Sequence, residues 1–371
     1  MTKSTTPHRS RRRRWQRFGK RLFLLALGMA IGMEVFGFML RHTTLSLFDF
    51  FKLEWPKREF TDPHSLKILA VGDSFTYGIA SERISEFLVG YPEMLPELLA
   101  SETASVEVIN LAYPASDSGS AVDRFRRFLK KPASYPDVVL LAFGINNIGF
   151  AKFIECRTVQ APTPPPWSAK ATAHLYAHSI IFRVAVLMGS QVFGGAMPSS
   201  SVDDIVHTSA DGTIHWDDPL AEKWVKTCLQ DDFSAALLLC RQARARPVIV
   251  TYHQDSFATQ VQRFVAETHG ADLVDVAHTA RNMDPDLLAR FKAKGRWHPD
   301  FCGYVAVAKL VADRIAQSPP AQKRGFRVKT YAELLPYLRG EMAKEKKTDT
   351  PCILARDLWL QESETPAATI D

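Results

Sequence analysis

From Lys67 onward the chain alternates short, apolar-rich runs with longer stretches in which apolar residues recur every three or four positions. The runs "KILAV" (67–71), "SVEVIN" (105–110), "DVVLLAF" (137–143), "PVIVTY" (247–252) and "DLVDVA" (272–277) are rich in Val, Ile and Leu. Little polar alternation interrupts them, the pattern of strands buried on both faces of a parallel sheet. Between them, "PEMLPELLAS", "SGSAVDRFRRFLKK", "DDFSAALLLCRQARA", "FATQVQRFVAETH" and "GYVAVAKLVADRIA" have helical spacing. This alternation predicts an α/β fold: a three-layer α/β/α sandwich around a central parallel sheet of about five strands. Ligands then bind near the carboxyl ends of the strands.

The order breaks between about residues 150 and 220, where "APTPPPWSAK", "GSQVFGGAMPSSS" and "DGTIHWDDP" interrupt a helical pattern, "TAHLYAHSIIFRVAVLM". We read this as one insertion between the third and fourth strands, forming a lid or a wall of a cleft. His174 and His178 have metal-ligand spacing, but with no adjacent Glu and no evident third ligand they read as ordinary helix positions. The expected organisation is a domain over 65–317 carrying that insertion, a linker at 41–64, and a Pro- and Lys-rich tail from 318 to 371.

Charge changes the picture at the N-terminal side. Nine of the 46 Lys and Arg fall within the first 21 residues, which hold no acid. The rest of the chain therefore has fewer basic than acidic residues, and the basicity does not indicate nucleic-acid binding. Directly after this head comes "LFLLALGMAIGMEVFGFML", Leu22 to Leu40, whose one charge is Glu34. At 1.5 Å per residue it reaches about 28 Å, enough to span a bilayer. The fold expectation therefore includes an N-terminal transmembrane helix. By the positive-inside rule the head at 1–21 is cytoplasmic and everything after Arg41 faces outward, in the periplasm of a Gram-negative cell. A cleaved secretory signal has a shorter apolar region and a small-residue cleavage site, which "FMLRHTTLSLF" lacks, and "SRRRRW" matches a twin-arginine signal only faintly. An uncleaved, single-pass signal anchor is the reading we carry forward.

The five cysteines form no C-x-x-C pattern, which argues against a zinc or thioredoxin-type site. An outward location permits disulfides, and Cys156 with Cys228 would tie the insertion together.

Candidate chemistry gathers where the runs end. The first delivers Gly72-Asp73-Ser74 to the carboxyl edge of the sheet, where free backbone N–H groups can meet developing negative charge. Gly-Asp-Ser is also common turn chemistry, so the triplet alone decides nothing. After the second run comes "NLAYPASDSG" (110–119), and after the third "FGINN" (143–147), whose Asn146 can aim a carboxamide N–H at an oxyanion. In "GRWHPDFCGYVAVAKLVADRI", His298 precedes the last amphipathic helix and supplies the imidazole that a serine nucleophile needs as general base. Asp300 would cap that helix.

"VGDSFTYG", "VINLAYPASDS", "FGINN" and "WHPDFCGY", in this order, resemble the four blocks of the SGNH/GDSL hydrolase superfamily. The resemblance covers roughly Ser65 to Gln317 without the insertion. It implies an SGNH-hydrolase, flavodoxin-like sandwich and a serine esterase acting through an acyl-serine intermediate. It makes Ser74 the nucleophile, with its own N–H in the oxyanion hole, Asn146 the side-chain donor and His298 the base. No metal or organic cofactor is implied.

Two positions depart from the family pattern. The second backbone donor, usually Gly, is Ala115 or, less well aligned, Ala112, and Ala serves there if its φ is negative. The acid three residues before the His is replaced by Gly295. Asp284 and Asp286 are the carboxylates that could fold back to replace it. The resemblance implies an acylated small-molecule, lipid or glycan substrate. The rival readings are an O-acyltransferase using the same Ser and His, a non-catalytic glycan-binding scaffold, and, more distantly, a flavodoxin-like nucleotide binder that lacks the phosphate-binding motif.

Overall fold

The computed structural model describes residues 20–25, 27–35, 59–78, 90–131, 135–179, 181–182, 205–208, 214–282 and 298–344. Five strands form one sheet: β1 (Leu66–Gly72), β2 (Val106–Asn110), β3 (Val138–Ala142), β4 (Arg246–Val250) and β5 (Asp272–Val274). Their order is β2-β1-β3-β4-β5 and every pairing is parallel. The apolar runs explain this arrangement, because β3 is buried at all five positions and can sit only at the centre, covered on both faces. Each fully buried Val or Leu there contributes about 1.5–3 kcal/mol relative to an exposed one.

Helices cover both faces. On one, α2 (Tyr91–Leu98) packs against α9 (Phe301–Ala316). On the other lie α3 (Ser118–Phe128), α6 (Pro219–Ala243) and α7 (Phe257–His269). Helix α6 begins well before the predicted "DDFSAALLLCRQARA": Asp218 caps it by accepting from Leu220 N, and Pro219 fits the first turn. The fifth run is strand only to Val274; Asp275 then accepts from His278 N and starts the short helix α8 (Val276–Arg281).

Within the insertion, α4 (Phe150–Gln160) and α5 (Trp167–His178) pack on each other, and Val206–Thr208 pairs antiparallel with Ile214–Trp216. The helix read over 172–188 begins at Trp167 and is interrupted after His178, where Ser179 is extended; 181–182 are helical, and 180 and 183–188 lie outside the described residues. His174 and His178 lie with ring centroids 4.4 Å apart on its exposed side. No group of three His, Cys, Asp or Glu side chains among the described residues could hold a metal ion.

Past Gln317 the chain stays on the domain. Arg327–Val328 pairs antiparallel with Leu99–Ala100, and Leu334 and Leu338 of the following helix, α11 (Tyr331–Lys344), are buried. Cys156, Cys228 and Cys240 are free and buried, so the expected tie between Cys156 and Cys228 is not present. The two side chains meet across α4 and α6 as thiols that hydrogen-bond. Cys302 is disulfide-bonded.

Of the apolar segment at 22–40, residues 26 and 36–40 lie outside the described residues. Residues 20–25 and 27–35 are helical. No helix among the described residues is long and apolar enough to cross a membrane.

Two glycines hold the strand ends close to their neighbours. A Cβ on Gly72 would stand 2.6 Å from Ala142 O and 2.2 Å from Thr76 Oγ1, so the turn that carries Ser74 can form beside β3 only without a side chain there. Gly144 has φ of 127° and lies against Leu229. The substitution Gly144→Ala should therefore lower stability by about 1–3 kcal/mol, the cost of holding a non-Gly residue in such a conformation. Urea unfolding of the variant beside the parent measures it.

Candidate active site

Ser74 opens a one-turn helix, α1 (Ser74–Tyr77), directly after β1. Asp73 caps it by accepting from Phe75 N at 3.0 Å, and Gly78, with φ of 94°, ends it by donating to Ser74 O at 3.1 Å. Phe75 anchors the turn in the core, its ring 5.4 Å from Tyr252, 5.7 Å from Tyr91 and 6.1 Å from Tyr304. The turn is therefore held at both ends and from beneath, and Ser74 remains half-exposed. As the first helical residue its N–H has no intrahelical acceptor.

His298 arrives from the other end of the sequence. Asp300 caps α9 by accepting from Gly303 N at 2.8 Å, which fixes the approach of the "HPD" segment. His298 Nε2 stands 2.8 Å from Ser74 Oγ, within the reach a general base requires. Burial alone pushes the imidazole pKa down to about 4, and no carboxylate among the described residues counters it. The ring is neutral at pH 7, and its Nε2 lies within hydrogen-bond reach of the Ser74 hydroxyl. Asp284, Asp286 and Gly295 lie outside the described residues.

Asn146 sits in a tight 3-10 turn (Ile145–Ile148) after β3. One of its carboxamide N–H bonds goes to Ser116 O at 3.1 Å, which leaves the second for a ligand. Its neighbour Asn147 is fully buried and grips the loop after β2, accepting from Ser118 N at 3.0 Å and donating to Ser118 Oγ at 2.8 Å. Arg124 of α3 ties the same region together: it donates to Leu111 O at 3.0 Å, to Gly72 O at 3.3 Å and to Ser116 Oγ at 2.8 Å.

Ala115 does not meet the condition set by the sequence. Its φ is 57°, not negative. Ser116 N donates to Tyr113 O at 3.1 Å, closing a turn with Pro114 second and Ala115 third. In a type II turn Pro favours the second position and the third requires positive φ. Ala115 therefore adopts the conformation usually left to Gly. It does not line the pocket around Ser74. Ala112 is excluded as the donor, because its N–H bonds to Asn110 Oδ1 at 2.9 Å.

Ser74, Asn146 and His298 share one cavity of about 280 Å³, walled also by Phe75, Ile145 and Ile148 and rimmed by Tyr252, His253 and Gln254. The last three were not singled out in the sequence. They follow β4 in "VTYHQ", so the rule that marked the other strand ends would have found them. Asp73, also at the cavity, is fully buried; burial raises its carboxyl pKa to about 7, against the hydrogen bonds from Tyr252 OH and Phe75 N that favour its charge. A nucleophile, a neutral base and amide donors around an apolar-walled cavity can carry out acyl transfer.

Residues 70–188 match the model of the GDSL-like Lipase/Acylhydrolase family. A lipase/acylhydrolase from Enterococcus faecalis shares 14% identity over 71% of this chain and 97% of its own, with a TM-score of 0.39. AlinE4, an SGNH-hydrolase family esterase, shares 14% over 70% of this chain and 100% of its own, with a TM-score of 0.30. No curated protein matches the chain.

Titrating the His298 ring resonances by NMR should give a midpoint near 4, with the ring neutral from pH 5 upward. A midpoint at or above the ordinary 6.5 would mean that a carboxylate from 283–297, such as Asp284 or Asp286, pairs with it.

Proposed function

We propose that this chain, whose residues 70–188 match the GDSL-like Lipase/Acylhydrolase family, is a serine esterase that cleaves carboxylic esters through an acyl-Ser74 intermediate. The observation that carries the reading is the 2.8 Å contact between His298 Nε2 and Ser74 Oγ beside Asn146. Ser74 Oγ attacks the ester carbonyl carbon while His298 takes its proton. The oxyanion meets the second N–H of Asn146 and the N–H of Ser74. The imidazolium then protonates the departing alcohol, and a water deprotonated by the same ring releases the acid.

A cavity of about 280 Å³ is small for an organic ligand, and its apolar wall suits a short acyl group rather than a long chain. Short O-acyl groups on extracytoplasmic glycans are the substrate class we favour over lipids. Transfer of the acyl group to a sugar hydroxyl would use the same first half-reaction. A silent scaffold is favoured by one observation, the lack of a carboxylate on His298 among the described residues. In the serine-protease triad, loss of that acid lowers kcat by about 10⁴ and leaves measurable chemistry.

We place the catalytic domain outside the cytoplasm on an N-terminal anchor. Three features support this: the basic head before Leu22, the exposed apolar side chains of Leu22 to Leu25, and a disulfide at Cys302, which suits an oxidising compartment. Glu34, the one charge of the apolar segment, accepts from Ser179 Oγ and from Ile181 N at 3.1 Å, which satisfies it against the insertion.

Residues 42–371 should label with a fluorophosphonate probe and turn over a short-chain aryl ester. Both activities should vanish in Ser74→Ala, measured by gel fluorescence and release of the aryl alcohol; a folded parent that does not label overturns the esterase reading. In cell fractionation the full chain should resist alkaline carbonate extraction and be digested by external protease, and release into the carbonate supernatant would overturn the anchor.

A further inference from the structure

The nucleophile and the oxyanion donor sit on two different strand ends, and one buried phenol touches both. Tyr252, at the end of β4, donates its O–H to Asp73 Oδ2 at 2.5 Å and accepts from Ile145 N at 3.2 Å. Asp73 immediately precedes Ser74 and caps its helix; Ile145 immediately precedes Asn146. The phenol oxygen is thus a single-atom bridge between the residue before the nucleophile and the residue before the side-chain donor. Its ring packs edge-on against Phe75 at 5.4 Å, so the oxygen has little freedom to leave this position.

Both bonded groups are costly to leave unpaired. Asp73 is completely buried, so its carboxyl needs Tyr252 and Phe75 N as donors. The amide of Ile145 lies in a tight turn after Gly144, and its N–H points to the phenol. Without the bridge the two turns would still form, but their separation would rest on the longer Thr76 Oγ1 to Ala142 O contact of 3.4 Å and on the indirect path through Arg124 and Ser116. Acyl transfer is sensitive to that separation, because an attacking oxygen misplaced by about 1 Å costs up to about 10²-fold in rate.

We propose that Tyr252 is a positioning residue for the reaction: through Asp73 and Ile145 it sets the distance between the Ser74 hydroxyl and the Asn146 carboxamide. The inference rests on the serine-esterase reading. It assigns Tyr252 no proton transfer, since its O–H is already committed to Asp73.

The test is Tyr252→Phe, which keeps the ring and removes the bridging oxygen, with Asp73→Asn and the double variant, all in the full chain solubilised in detergent. Fluorophosphonate labelling counts the folded, competent sites in each sample, and ester kinetics are normalised to that count. Tyr252→Phe should lower kcat by about 10- to 100-fold while KM stays within about threefold. Asp73→Asn should lower kcat similarly, and the double variant should fall little further than the worse single, because both remove the same bridge. If Tyr252→Phe does not fold, Asp73→Asn alone decides by the same kcat criterion. A Tyr252→Phe enzyme with kcat within twofold of the parent, a loss confined to KM, or multiplicative losses in the double variant would overturn the positioning role while leaving the esterase reading intact. An unlabelled parent overturns both.

Discussion

The constraint on which this structure depends is the parallel register of β1 with its two neighbours. Ala70 pairs with Asn110 and Gly72 with Ala142, so three chain segments leave the sheet at the same edge and at nearly the same height. Each exit carries one part of the site: Ser74 after β1, the Tyr113–Ser116 turn after β2 and Asn146 after β3. Antiparallel pairing would have sent one of these to the opposite end. The site is thus a consequence of strand direction first and of side-chain choice second.

Three polar connections convert this rough proximity into geometry. Arg124 binds the carbonyls of Gly72 and Leu111 and the hydroxyl of Ser116. Asn147 closes the second exit onto the third through Ser118. Tyr252 brings in a fourth strand end through Asp73 and Ile145. These side chains bond backbone groups of the loops themselves, among them Leu111 O, Ser118 N and Ile145 N, so folding the loops and satisfying the backbone go together. Ser74 and His298 themselves are tied chiefly to each other.

The sheet was legible in the sequence because its central strands, β1 and β3, are buried on both faces and read as apolar runs, while the edge strands β2 and β5 keep enough Val, Ile and Leu to be read with them. Ser74, Asn146 and His298 were legible because each stands at a strand end or before the last helix in a recognisable block. What escaped has physical reasons. The positive φ of Ala115 follows from the turn that Pro114 begins, and an Ala does not announce such a conformation as a Gly would. Tyr252 looked like the last residue of an apolar run, since a tyrosine whose hydroxyl bridges two loops has the same letter as one packed in a core. The early start of α6 was hidden because residues 219–230 mix Lys, Glu and Gln with apolar positions, and only packing against α3 and α7 reveals which face is covered.

The insertion is fastened at both of its ends to parts that cannot move freely. It departs at Phe150, one residue after Gly149, whose N–H is bonded to Asn146 O. It returns into α6, whose Leu229 lies against Gly144 and whose Asp232 accepts from Ser118 Oγ and pairs with Lys152. Between two such fixed points, lengthening a connection costs little, about 0.6 kcal/mol for each doubling. The scaffold is therefore a socket beneath a connection of adjustable length: the residues between α4 and α6 can be lengthened without moving the strand ends that carry Ser74 and Asn146, and none of the insertion's described residues lines the cavity between them.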